Sequence, residues 1–276
     1  MNILVTGGSG FIGSHLVDKL FKLRHEVDIF DIKEGNDIRN KKTVERACKN
    51  KDIIFHLASK LGTRKLFDNQ IEAVEVNVIG TLNILSSSLK NNCKLVIAIL
   101  PDANWLNMYK ITKESVEKYC LMYQKYFNLD VALLRVYNVY GPRQNLEQEK
   151  VIPTFIMKAL NNEPIRIYGD GHQSSDYIYV SDVVDSMVAV LKNNGFNKGI
   201  IDIGTGKVIS VNTIAETIIK LTKSSSIKKY IPMRKGEEKI NIVANTKCAK
   251  DLLDFRAKIP LEEGLKKTIE YYKKLK

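Results

Sequence analysis

The sequence predicts an α/β protein: a doubly wound, mainly parallel sheet followed by a smaller C-terminal α/β lobe. Two patterns support this. Over the first half of the chain, short apolar runs alternate with segments whose apolar residues recur at helical spacing. From Val151-Ile152-Pro153 onward the pattern shifts to shorter strands and helices. The expected division is residues 1–147, with roughly 176–204, for the sheet domain, and 148–175 with 205–276 for the lobe.

The first element sets the chemistry. The apolar run Ile3 to Val5 stops at Gly7-Gly8-Ser9-Gly10-Phe11-Ile12-Gly13, and His15-Leu16-Val17-Asp18-Lys19-Leu20 continues at helical spacing. Gly7 permits a tight turn, Gly10 lets a pyrophosphate approach the backbone, and Gly13 lets helix and strand pack closely. Phe11 and Ile12 then sit where the free N–H groups of the helix start face the anion. A glycine pattern placed between a strand and a helix is the context a dinucleotide-binding turn requires. The next run, His25 to Phe30, is a second strand ending at Asp31, whose carboxylate can accept both ribose hydroxyls and would repel a 2′-phosphate. The sheet is therefore read as Rossmann-type and its cofactor as NAD.

The stretch from Lys33 to Arg39 is too short for another crossover helix. Ile53-Ile54-Phe55-His56-Leu57-Ala58 is a buried strand running into small residues, and His56 is read as a core histidine. A long helix is expected from about Phe67 to Lys90. Gly80 in its middle costs helix stability, and close packing against a strand would explain it. Cys93 to Leu100 is a central strand, followed by a helix on which Tyr109 and Lys113 share one face. An ammonium beside a phenol favours the phenolate and lowers its pKa toward that of a usable base. Leu134 to Tyr140 is a further strand, turning at Gly141-Pro142.

Composition excludes several classes. Lys and Arg number 43 against 31 Asp and Glu, a formal charge of +12, but the basic residues are dispersed and not interleaved with aromatics. That pattern suits an anionic small molecule rather than a nucleic acid. The four cysteines and four histidines show neither a disulfide framework nor metal-ligand spacing, so no metal is expected. No apolar run is long enough to span a bilayer, and Met1-Asn2 leads directly into a strand. The expectation is a cytoplasmic protein without a membrane partner.

The Thr6-Gly7-x-x-Gly10-x-x-Gly13 run resembles the extended short-chain dehydrogenase/reductases. Further matches are His56-Leu57-Ala58, Asn77-x-x-Gly80-Thr81, Tyr109-x-x-x-Lys113 and Leu134-Arg135-x-x-Asn138-x-x-Gly141-Pro142, with Arg234-Lys235-Gly236 in the C-terminal lobe. Together they look like the sugar-nucleotide epimerase/dehydratase branch, and the UDP-glucose 4-epimerases in particular. The resemblance implies that Asp37 and Ile38 lie by the adenine, Leu57 and Ala58 pass over the cofactor, and Asn77 braces the nicotinamide side. Val136 would meet the carboxamide. Tyr109 would transfer the proton, while Lys113 tunes it and holds the nicotinamide ribose. Asn138, Val151 and Arg234 would contact a nucleotide-diphosphate sugar, with a UDP-sugar favoured. A homodimer formed through the helices near 67–90 and 106–127 is also implied.

The implied reaction is 4-epimerisation through a 4-keto sugar. A dehydratase normally needs an adjacent Asp-Glu pair, and here Asp102 is followed by Ala103. The same residues are also compatible with keto-sugar reduction or with a non-catalytic NAD-binding role. Two departures bear on the choice. Family members carry a Ser/Thr-rich run before the tyrosine helix, where this chain reads Ala98-Ile99-Leu100-Pro101-Asp102, and Asn104 or Asn107 is left as a substitute donor. Ser175 stands where the family places an arginine on the diphosphate, and a hydroxyl there can still bond phosphate.

Overall fold

In the computed structural model, strand β1 (Asn2–Thr6) sends Ile3 and Val5 to one face of the central sheet and Leu4 to the other. All three are buried, because a strand covered on both faces must be apolar at successive positions. β3 (Ile53–His56), β4 (Lys94–Ile99) and β5 (Val131–Val136) divide their side chains between the same two cores. With β2 (Glu26–Phe30) and β10 (Ile200–Ile203) they form a six-stranded parallel sheet, ordered β2-β1-β3-β4-β5-β10. The structure describes residues 1–103, 106–233, 239 and 241–276, with the backbone alone at 63–65.

Helices cover both faces, as the doubly wound prediction requires. α1 (Phe11–Lys22), α8 (Val180–Lys192) and α10 (Lys247–Leu253) pack on the Ile3/Val5 side. α2 (Lys41–Ala47), α5 (Gly80–Lys90) and α6 (Met108–Phe127) pack on the Leu4 side. Strand order reverses between β1 and β3, and in such sheets the crevice beyond the carboxyl ends at that point receives the ligand.

The single helix expected from about Phe67 to Lys90 is divided into α3 (Thr63–Asp68), α4 (Gln70–Val74), a π-helical turn at Glu75–Ile79, and α5. Asn69, at φ −128° and ψ 50°, leaves the helical region, and its carbonyl opens α4 by accepting from the Ala73 amide at 3.0 Å. Gly80 is explained by a different neighbour from the expected strand. A Cβ there would lie 2.6 Å from Cδ1 of Ile38, a residue of the loop before α2.

The smaller lobe has its own core around Ile156, Ile167, Ile214 and Leu265. It is built from α7 (Val151–Leu160), α9 (Val211–Thr222) and α11 (Leu261–Lys274), with β7 (Ile165–Tyr168) paired to β12 (Lys228–Ile231). β8 (Ser174–Ser175) lies between β11 (Ile209–Ser210) and β13 (Asn241–Ile242). β6 (Asn138–Tyr140) pairs with β9 (Tyr177–Tyr179), and β9 joins the two cores: Ile178 belongs to the sheet's, Tyr177 and Tyr179 to the lobe's.

Asp176, fully buried just before β9, ties these pieces together. Its carboxyl accepts from the Thr205 amide at 2.9 Å, the Thr205 hydroxyl at 2.6 Å, the Gly206 amide at 2.8 Å and the Ala244 amide at 3.3 Å. Replacing it by alanine would orphan these donors in a dry site. Asp176→Ala is therefore expected to cost at least about 3 kcal/mol, read as a lower urea midpoint.

Candidate active site

The glycine turn is formed by close approach. Gly7, at φ 71°, donates its amide to the Phe30 carbonyl at 2.9 Å, and the Gly10 amide returns to the Gly7 carbonyl at 3.0 Å. A Cβ on Gly13 would sit 2.1 Å from that same carbonyl oxygen, so only glycine lets the helix start this near the strand. A Cβ on Gly7 would sit 2.6 Å from the Ala58 nitrogen and 2.7 Å from the Leu57 carbonyl carbon. The turn thus rests directly on the backbone that follows β3.

Behind it stands a buried polar network. Thr6 Oγ1 accepts from the Ala58 amide at 3.3 Å and lies 2.6 Å from His56 Nδ1, while His56 Nε2 lies 2.9 Å from Thr81 Oγ1. Thr81 donates its own proton to the Asn77 carbonyl at 2.6 Å. This network assigns the His56 proton to Nε2, with Nδ1 accepting from Thr6. Burial, reinforced by the Lys113 charge, holds the imidazole down at about 3, so His56 is a neutral, satisfied histidine as expected.

Asp31 follows β2 and is almost fully buried. Its two carboxyl oxygens accept from the Ser9 and Lys33 amides, each at 3.0 Å, which fixes the carboxyl beside the glycine turn with lone pairs to spare. Asp37 does not cap a helix; Asn40 caps α2. Asp37 grips Arg39 instead, and the guanidinium's hydrogen bonds hold its carboxyl below the usual range. Ile38 is buried against Gly80.

Asn77 is almost fully buried within the π-helical turn, a local form frequent at functional sites. Its Oδ1 accepts from the Ser59 hydroxyl at 2.9 Å and the Lys60 amide at 2.7 Å. Its Nδ2 donates to the Lys60 carbonyl and to Thr112 Oγ1, both at 3.1 Å. The loop after β3 is thereby clamped to the helix that carries Tyr109.

Tyr109 and Lys113 lie on α6 as expected, but the electrostatics differ from those the spacing suggested. Lys113 Nζ donates to the Ala98 carbonyl at 2.7 Å, at the end of β4. Burial pushes the Tyr109 phenol above its ordinary range, and the opposing influence is a hydrogen bond with the Ser59 side chain rather than the Lys113 charge. The Lys113 ammonium is turned toward the strand in this structure. Spacing does not single out Ser59. The available signal is a hydroxyl directly after an apolar strand that ends at the crevice.

The connection from β4 to α6 is short and clamped. Buried Lys110 donates to the Pro101 carbonyl at 3.0 Å and pairs with Glu114 at 3.0 Å. Asn107 is committed as the α6 cap, accepting from the Lys110 amide at 3.0 Å, while Asn104 lies outside the described residues. Val136 ends β5, almost buried, and Val151 is the first residue of α7. Asn138 donates to Ser175 Oγ at 2.5 Å. Ser175 is itself buried, and its hydroxyl accepts this hydrogen bond. Arg234 lies outside the described residues.

A model of the NAD dependent epimerase/dehydratase family matches residues 3–204. The chain belongs to that family. The UDP-N-acetyl-alpha-D-glucosaminuronate decarboxylase of Bacillus cytotoxicus is 32% identical over 317 aligned positions, covering 99% of this chain and 98% of that protein. The crystal structure of Thermotoga maritima UDP-glucose 4-epimerase with UDP-glucose superposes with a TM-score of 0.92 at 31% identity, covering 100% of this chain and 99% of the other. Thermus thermophilus UDP-glucose 4-epimerase in complex with NAD gives a TM-score of 0.89 at 26% identity, covering 99% of each chain. Family members are NAD-dependent sugar-nucleotide enzymes, and this chain is an enzyme of that kind with NAD as its cofactor. The site fits NAD: α1 starts without a side-chain cap, no Cβ stands at Gly7 or Gly10 in the turn before it or at Gly13 in its first turn, and a buried carboxyl stands at the end of β2.

Among the described residues no helix is long and apolar enough to cross a membrane, and no cluster of three or more His, Cys, Asp and Glu could hold a metal ion. Cys48, Cys93 and Cys120 are buried free thiols, whereas Cys248 is exposed.

Burial holds the Lys113 ammonium down at about 8, against an ordinary 10.5. Between those values the unfolded chain keeps a proton the folded chain has lost, so stability rises with pH across that window and the gain is absent below it. The buried thiols Cys48, Cys93 and Cys120, pushed up by burial, act with the opposite sign over the same range, so the Lys113 contribution is read as a difference: from pH 8 to 10 the urea midpoint of Lys113→Met is expected to fall relative to that of the wild-type apoprotein.

Proposed function

We propose that the protein is a UDP-sugar 4-epimerase. The observation that carries this reading is the pair Ala58–Ser59. Ala58 supports the glycine turn, and its neighbour Ser59 is joined through Asn77 to Thr112 on α6, so the cofactor turn and the helix of Tyr109 meet across two consecutive residues. NAD, when bound, takes up and returns the sugar's hydride. Gly7, Gly10, Gly13, Phe11 and Ile12 would hold its pyrophosphate, Asp31 the adenosine ribose, and Asp37 with Ile38 the adenine edge. Leu57, Ala58, Asn77 and Val136 would line the nicotinamide side.

Tyr109, as phenolate, would remove the proton from the sugar C4 hydroxyl and return it after the 4-keto sugar turns over. Lys113 would leave the Ala98 carbonyl for the nicotinamide ribose. Asn138, Val151 and Arg234 would contact the nucleotide diphosphate and sugar. With a two-lobe division at 147–148, and 176–204 returning to the sheet domain, the sugar would sit between the lobes. A dehydratase is less well supported, since Asp102 is exposed, 3.7 Å from Lys110, and followed by Ala103.

The test is NMR of the NAD-loaded protein with UDP-glucose, UDP-N-acetylglucosamine, UDP-glucuronic acid and their dTDP counterparts. Inversion at C4 is expected. Loss of carbon dioxide from the uronic acid would assign decarboxylation instead, a reaction that can follow from the same 4-keto sugar. Tyr109→Phe should lower turnover by at least about a hundredfold while leaving NAD binding intact; undiminished turnover would refute the role given to Tyr109.

We also propose a homodimer. Ile71, Val74 and Ile79 on α4 and the π-helical turn, and Ile111, Met122 and Tyr126 on the adjoining α6, are exposed apolar side chains on neighbouring helices. Sedimentation velocity should show a dimer that Ile71→Asp combined with Tyr126→Asp converts to monomer.

A further inference from the structure

Lys110 stands where an ammonium is costly. It is only 4% exposed and lies in the first turn of α6, the end at which the helix dipole disfavours a cation. Its acidic partner on the helix, Glu114, follows it by one turn, which is the weaker of the two orders for such a pair. Neither the helix nor solvent therefore accounts for a lysine here. Its contact outside the helix does: Nζ donates to the Pro101 carbonyl at 3.0 Å, with the Glu114 carboxylate at 3.0 Å and that of Asp102 at 3.7 Å.

Lys113 makes the same kind of bond one turn further along the helix, donating to the Ala98 carbonyl at 2.7 Å. Two lysines three residues apart on α6 thus hold two carbonyls three residues apart, in the opposite direction, at the end of β4 and just beyond it. Tyr109 belongs to the same first turn as Lys110. Another face of that turn is held by Thr112, whose hydroxyl lies 2.9 Å from the Met108 carbonyl and 3.0 Å from the Tyr109 carbonyl and accepts from Asn77 Nδ2 at 3.1 Å. Helix ends fray, so a side chain in the first turn is only as well placed as the ties on that turn.

We propose that Lys110 is a positioning residue for Tyr109: bridging the Pro101 carbonyl and Glu114, it fastens the first turn of α6 to the end of β4 and keeps it fastened when Lys113 exchanges the Ala98 carbonyl for the nicotinamide ribose. This rests on the roles proposed above for Tyr109 and Lys113. Lys110 acts through the backbone of α6, not on the sugar. Without its ammonium the Pro101 carbonyl and the helix start are released from one another, and the phenol moves relative to the sugar hydroxyl while the groups that bind NAD and nucleotide stay in place. A displacement on the order of 1 Å is enough to cost catalysis far more than binding.

The test compares NAD-loaded wild type, Lys110→Met, Lys110→Gln and Lys110→Arg, each also in a Tyr109→Phe background. Lys110→Met is expected to lower kcat about tenfold or more with KM and NAD affinity little changed, and to speed amide hydrogen exchange over residues 106–112 but not at the far end of α6. Lys110→Gln, one atom shorter and uncharged, should act in the same direction, which preserves the test if the methionine variant does not fold. Lys110→Arg can still reach both the carbonyl and the carboxylate and should restore most of the rate. In the Tyr109→Phe background the same substitutions should leave the residual turnover unchanged, because the group they displace is already gone. An equal loss in both backgrounds, a loss carried by KM, an undiminished kcat or unchanged exchange overturns the proposal. If the wild type converts no UDP-sugar, the epimerase reading fails by itself, and exchange alone decides on Lys110: faster exchange confined to the start of α6 supports it and no change overturns it.

Discussion

The close seat of the glycine turn on the backbone after β3 is the constraint on which the rest of the site depends. Gly7 and the Leu57–Ala58 peptide approach so nearly that no Cβ fits between them. This contact fixes the start of α1, and with it the N–H groups offered to a pyrophosphate. It also fixes the path of residues 57–60, from which Asn77 and Tyr109 take their positions. Sheet register makes the contact possible, because parallel β1 and β3 bring Thr6 beside His56 and so deliver both loops to one edge.

Behind that contact, polar groups are buried without being abandoned. Thr6, His56, Thr81 and Asn77 pass hydrogen bonds from one to the next, and each proton has an assigned acceptor. A fully satisfied network of this kind rigidifies its surroundings, since breaking any link leaves a desolvated group behind. A neutral histidine suits it better than a charged one, which explains how an imidazole so near the crevice can be structural. Asp176 does the same between the lobes, where one carboxyl gathers the β10–β11 turn and the backbone at Ala244.

The burial that makes the site rigid also works against its chemistry. Desolvation raises the Tyr109 phenol and lowers the Lys113 ammonium, so it disfavours the charged form of each. Hydrogen bonds aimed at a phenolate, or a positive charge brought beside it, would offset that cost. Lys113, for its part, is engaged with β4 through the Ala98 carbonyl.

Much of this was legible in the sequence. The glycine turn, the acid after β2, the paired tyrosine and lysine and the alternation of strands and helices follow from short-range rules: the steric freedom of glycine, the period of a strand and the pitch of a helix. Those rules determined the sheet domain and the cofactor. They did not reach the break at Asn69, the packing of Gly80 on Ile38, the burial of Ser175 against Asn138, or the turning of Lys113 toward Ala98. Each of these depends on which side chain arrives from a distant part of the chain, and local spacing carries no record of that. The sequence by itself determined which groups the site contains, whereas only the tertiary structure decided which of them face one another and which protonation states burial favours.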